Sequence, residues 1–153
     1  MLKPDGVFLG AMIGGETLKE LRSAFVLADE ERRGGVYPHV SPMVAMSDIG
    51  RLMQGAGFAL PTVDTDYIQV NYENAFELME HLQGMGESNA PFMPLPSTSK
   101  DSLIAMASIY QKLYGNPDGT IPATFQVIYV IGKKRIDIIA LLFCFMMMMM
   151  MML

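Results

Sequence analysis

Apolar positions recur along this chain in two spacings, and glycines and prolines punctuate them. Val7–Ile13 is apolar without alternation, the pattern of a strand covered on both faces. It follows Leu2-Lys3-Pro4-Asp5-Gly6, where Pro4 presets its φ for a turn and Gly6 is expected to supply the positive φ that closes it. Leu18, Leu21, Phe25 and Ala28 then repeat at three- and four-residue steps, which predicts a helix over Thr17–Arg33 with one buried stripe. Thr17 and Glu20 have the spacing of a capping box, and Gly34-Gly35 ends the helix. The charges of Asp29–Arg33 read as a solvated face.

Two prolines within Val36–Pro42 forbid a helix there and make a loop. Ser47 offers an N-cap and Asp48 a favourable charge for the next helix, which turns Ile49, Leu52, Met53 and Ala56 inward and stops at Gly57. A β-branched strand is expected over Val63–Val70. Asp64 and Asp66 share one of its faces, as an acid/base pair, a metal site or an exposed edge. Glu73–Leu82 predicts a helix with Phe76, Met79 and Leu82 inward. Glu87–Ser99, with three prolines, predicts a loop. Lys100–Tyr114 is a helix facing inward through Leu103, Met106, Tyr110 and Leu113, and Thr124–Ile131 is a last strand.

Composition narrows the function classes. At 153 residues there is room for one domain with a stable core. A strand of the Val7–Ile13 kind, met at the very start, is what the middle of a domain looks like. A formal charge of −5 argues against nucleic acid, because phosphate contacts need a basic face. Cys144, the single cysteine, allows no disulfide framework or Cys-rich zinc site. His39 and His81 have no metal-ligand spacing, so no metal is expected. Met1 leads directly into a turn and strand, which leaves no secretory leader or transit peptide in this chain.

The last stretch is a different kind of sequence. Ile138–Leu153 is uncharged for sixteen residues and includes Met146–Met152, an unbroken methionine run. A spanning helix wants roughly 17–25 residues. Lys133-Lys134-Arg135 before it suits a tail anchor, whereas a methionine homopolymer specifies no packing. The expected division is a domain over residues 1–132 and a low-complexity apolar tail, outside the fold, over 133–153.

Chemical motifs are scarce. Gly10, Gly14 and Gly15 do not space as a phosphate-cradling loop, and there is no GxSxG and no cysteine with a partner histidine. His39, between two prolines, is the one residue with acid/base character at neutral pH, and a purely structural role stays open.

Resemblance goes further. Leu2–Gly6 before a buried strand looks like the turn entering the fifth strand of class I S-adenosylmethionine-dependent methyltransferases. Ser47–Met53 running into Gly55-Ala56-Gly57-Phe58 resembles the helix and turn before the sixth strand, and Phe125–Ile131 resembles the antiparallel seventh. Ala11–Arg22 and Tyr37-Pro38-His39-Val40-Ser41-Pro42 are similar to the mitochondrial complex I assembly factor 5 family, arginine hydroxylases related to the methyltransferases of biotin synthesis. The likeness covers Met1 to about Gly132.

It implies an α/β fold: the C-terminal half of a Rossmann-like methyltransferase sheet, strands five to seven, incomplete, with a two-helix insertion over Glu73–Tyr114 acting as a lid or docking surface. The full-length family would use S-adenosylmethionine, held on its first two strands; none is expected for this chain alone, and no catalytic or cofactor-binding residue is assigned. Tyr37, His39 and Ser41 are candidates for the substrate side. The implied partners are an iron–sulfur subunit of complex I and assembly intermediates, on the matrix side of the mitochondrial inner membrane, with membrane contact peripheral or through the tail. The expected function is an inactive fragment of such an enzyme; the alternatives are a non-catalytic docking module and a tail-anchored membrane protein.

Overall fold

The computed structural model describes residues 2, 3, 5–87 and 98–134. The apolar tail from residue 135 and most of the loop expected over Glu87–Ser99 lie outside the described residues. The elements are β1 (Val7–Ile13), α1 (Lys19–Arg33), α2 (Met46–Gly55), β2 (Phe58–Tyr72), α3 (Ala75–Gly84), α4 (Lys100–Tyr114) and β3 (Ile121–Lys134). One three-stranded sheet has the order β1-β3-β2. Lys134 N donates to Gly6 O and Gly14 N to Gln126 O, so β3 runs antiparallel to β1. It is antiparallel to β2 as well, which leaves β1 and β2 parallel to each other. This α/β arrangement is the one the methyltransferase likeness implies. The chain divides into two compact units.

The first unit comprises the described residues of 2–12, 46–64 and 128–134. Its opening turn is closed by Asp5, with φ 66°, and not by Gly6. An aspartate tolerates the left-handed region, and the Gly6 amide donates to Lys3 O at 3.0 Å. Gly6 is needed for space: a Cβ there would lie 2.8 Å from Lys3 O. The expectation of a doubly buried β1 fails. Val7 is 58%, Leu9 75% and Ile13 43% exposed: alternate residues of a strand share one face, and among the described residues nothing covers that face of β1, whose outer edge is also unpaired. An apolar edge of this kind is an aggregation hazard.

In α2 the helix begins at Met46, so Ser47 lies inside its first turn and does not cap it. Ile49 and Met53 are buried as expected, but Leu52 points to solvent at 66% exposure. Gly57, at φ 80°, ends the element. β2 is longer than the β-branched run predicted, beginning at Phe58 and including Pro61. As an edge strand it can carry a proline without losing a ladder bond. Gly132 of β3 lets Met53 and Phe58 close over it; a Cβ there would stand 3.3 Å from Phe58 Cβ.

The second unit comprises residues 13–45 and the described residues of 65–127 and holds the main core. Leu18, Leu21, Ala24 and Ala28 of α1 meet Leu78 of α3, Met106 and Tyr110 of α4, and Ile121 and Ala123 of β3. The periodicity of α4 is confirmed at Met106 and Tyr110, while Leu113 is 53% exposed. In α3 Leu82 is buried and Met79 packs on the core as expected, Ala75 and Leu78 are buried as well, and Phe76 is half exposed. Asn74 sets this register, capping the helix by accepting from the Phe76 and Glu77 amides at 3.0 Å and starting it after Glu73. Ser99 caps α4 by accepting from Ser102 N.

The capping box at Thr17 and Glu20 does not form. Leu18 is the N-cap, left-handed at φ 56°, and no side chain caps the helix. Both residues are instead turned onto β3. Thr17 Oγ1 accepts from Gln126 N at 2.9 Å, and Glu20 accepts from the amide and the hydroxyl of Thr124. Gln126 completes the set by accepting from Glu16 N and donating to the Tyr67 hydroxyl. A long-range partner satisfies these buried groups better than a local one, so tertiary pairing wins over helix capping.

Tyr110 donates its hydroxyl to Pro122 O at 2.7 Å inside this core. Burial, followed by the nearby Glu20 charge, pushes its hydroxyl well above the ordinary tyrosine range. The unfolded chain ionises near pH 10 and the folded one higher. Stability from this group is therefore complete below about pH 10 and falls as the pH rises further. Urea midpoints between pH 8 and 11 should drop at the alkaline end, and Tyr110→Phe should flatten that drop. An alkaline limb unchanged in the variant would contradict the assignment.

Candidate functional site

The second unit contains a half-open cavity of about 330 Å³. α1 lines it with Leu21 and Phe25, α3 with Phe76 and Met79, and α4 with Leu103. Its polar groups are His39, Gln83, Glu87 and Thr98. These residues follow the carboxyl ends of the two parallel strands, the side on which open α/β sheets bind ligands.

Asp29 organises the cavity wall. It stands four residues after Phe25, hence on the same helical face, and it is fully buried. That corrects the reading of Asp29–Arg33 as a wholly solvated face. His39 Nε2 lies 2.7 Å from Asp29 Oδ2, and the Tyr37 amide donates to the same oxygen at 3.3 Å. Since the buried carboxylate accepts, Nε2 carries a proton, and Nδ1 lies 3.4 Å from the Thr98 hydroxyl. Phe25 stacks on the imidazole, with ring centres 4.0 Å apart and planes 19° apart. Asp29 Oδ1 makes no hydrogen bond and faces Arg33, whose guanidinium covers the Tyr37 ring at 4.1 Å. The imidazole is thus fixed in orientation, as a ligand-facing wall requires.

The loop that carries these residues is clamped by Arg22. Its guanidinium donates to Ser41 O at 2.7 Å, to Val40 O at 3.4 Å and to Thr17 O at 3.2 Å. Of the three substrate-side candidates, His39 faces the cavity. Tyr37 stands on the other side of His39, against Arg33, and lines a neighbouring depression. Ser41 acts through its backbone, its amide donating to Glu87 Oε1 at 2.7 Å. Asp29 and Glu87 were missed as site residues. Asp29 could have been found from its i+4 spacing to Phe25; for Glu87 no local signal exists, because its partner is 46 positions away.

Asp64 and Asp66 are exposed on β2. Among the described residues no group of three metal-ligating side chains gathers. His81 sits on the solvent side of α3 against the edge of Tyr72. No described helix is long and apolar enough to cross a membrane.

Parallel β1 and β2 around antiparallel β3, with helices returning between them, define a partial methyltransferase-like fold. The chain is homologous to the NDUFAF5 arginine hydroxylases over their C-terminal portion, and more distantly to the malonyl-acyl-carrier-protein methyltransferases. It is 54% identical over 134 residues to arginine-hydroxylase NDUFAF5, mitochondrial, of Homo sapiens, covering 88% of this chain and 39% of that protein. The Danio rerio protein of the same name is 53% identical over 137 residues, covering 90% and 43%. Malonyl-[acyl-carrier protein] O-methyltransferase of Nitrosospira multiformis is 34% identical over 134 residues, covering 84% and 40%. The chain therefore spans about two fifths of the length of these relatives. No family model matches it. The solved YcgJ protein of Bacillus subtilis superposes with TM-score 0.45 and 14% identity over 89% of this chain and 54% of that one.

Proposed function

We propose that this chain forms the acceptor-substrate side of an S-adenosylmethionine-dependent, methyltransferase-like protein. The whole protein would act as a mitochondrial arginine hydroxylase on an iron–sulfur subunit of respiratory complex I during assembly, on the matrix side of the inner membrane. The observation that carries the reading is the 54% identity to the human arginine hydroxylase over nearly all of the described fold. The cavity beside Asp29 and His39 is the acceptor side on this reading, with α3 and α4 as its lid.

The described residues do not fit S-adenosylmethionine, which needs free backbone amides beside a glycine-rich loop. Gly14 and Gly15 already spend their amides on Gln126 O and Val44 O. A Cβ on Gly15 would lie 3.4 Å from Met43 O, so that backbone is packed and offers no cradle. The cofactor grip is therefore assigned to strands that pair with the outer edge of β1. The chain alone is accordingly inactive; the division expected at residue 132 falls inside β3, which runs to Lys134, so this domain includes residues 133 and 134. Calorimetric titration of S-adenosylmethionine into the chain tests this: no saturable heat is expected, and a one-to-one isotherm would overturn the reading.

A further inference from the structure

We infer that the open face of the sheet in the first unit is a docking surface for this chain's own apolar tail, residues 138–153. Strand register defines the face. Lys134 N donates to Gly6 O and Gly14 N to Gln126 O, and both bonds belong to one unbroken antiparallel register of β1 and β3. In it Leu9 stands opposite Ile131 and Ala11 opposite Tyr129, and residues directly opposite share a face. Phe8, on the other face, meets Phe58 with ring centres 5.5 Å apart, and Met53 of α2 closes over Gly132 there. α2 therefore covers one face only. The other presents Val7, Leu9, Tyr129 and Ile131, each between 42% and 75% exposed.

A contiguous apolar face marks a contact surface, and the sequence carries one segment suited to it. β3 ends at Lys134, beside Gly6 at the start of β1. Three residues, Arg135-Ile136-Asp137, then lead to sixteen without a charge. Sixteen residues reach about 24 Å even at the rise of a helix, and the seven of β1 span about 23 Å. Methionine adapts to irregular apolar surface, so the run over residues 146–152 needs no matched packing pattern to cover this one. A three-residue tether gives the tail an effective concentration of about millimolar, which favours it over a second copy of the chain. A bilayer is the poorer host, since a spanning helix wants roughly 17–25 residues.

Cys144, the single cysteine of the chain, lies in the tail and allows labelling of the unaltered sequence. The full chain, on a cysteine-free solubility partner, is labelled there with benzophenone maleimide and irradiated, and its cross-links are mapped by mass spectrometry. Links within one chain to residues 7–11 or 129–131 are expected. Leu9→Glu should reduce them about tenfold, the scale of losing one buried leucine. Leu52→Glu, on the solvent side of α2, should leave them unchanged. Links scattered over the chain, links only between copies, links that persist in Leu9→Glu, or links lost to added phosphatidylcholine–phosphatidylserine vesicles would each overturn the assignment. S-adenosylmethionine plays no part in this readout, so its outcome is independent of the acceptor-side reading.

Discussion

Asp29→Ala should lower the stability of the second unit by about 3 kcal/mol. The substitution leaves two buried donors, His39 Nε2–H and the Tyr37 amide, without their acceptor. Each buried, unsatisfied donor costs about 1–3 kcal/mol. Arg33 also loses the charge that holds it over Tyr37. Asp29→Asn keeps a carbonyl oxygen for the same donors and should cost less than half as much. Urea unfolding followed by circular dichroism at constant pH measures both. If Asn and Ala prove equally mild, within 0.5 kcal/mol of the parent on the scale of surface substitutions, Asp29 does not organise the site.

Leu78→Ala should be comparably damaging, at about 2–5 kcal/mol for a large-to-small change in a closed core. Leu78 has no exposed surface and belongs to the cluster shared by α1, α4 and β3. Phe76, two residues earlier on the same helix, is half exposed at the cavity rim, so Phe76→Ala should cost far less. The contrast separates core from rim, since chain position and helix propensity are nearly matched. The same urea experiment reads it, and a larger loss at Phe76 than at Leu78 would mean that α3 is rotated from its described register.

The helices and strands were legible in the sequence because period and punctuation agreed. α4 matches its prediction from Lys100 to Tyr114, with Ser99 before it and Gly115 after it. Registers were less legible, since an apolar residue at the right spacing is not always an inward one. Leu52, Phe76 and Leu113 all fit a stripe by spacing and all face solvent or a rim. Thr17 and Glu20 fit a local motif, and partners on β3 more than a hundred positions away claimed them. The candidate site was half legible. His39 stood out by chemistry, but its meaning depends on Asp29, which a run of neighbouring charges concealed.

β1 shows the same limit from the other side. Its unbroken apolar run was read as burial on both faces, yet here it is an exposed edge. The run states what the strand needs, and the described residues do not supply it. The outer edge of β1, unpaired among the described residues, is the observation behind the proposal that further strands complete this sheet.

The most direct measurement is a pair of titrations with S-adenosylmethionine, one on the chain alone and one on the chain mixed with the remaining residues of the human arginine hydroxylase. The account predicts no binding by the chain and stoichiometric binding by the mixture beyond what the added part shows alone. Saturable binding by the chain on its own would contradict it.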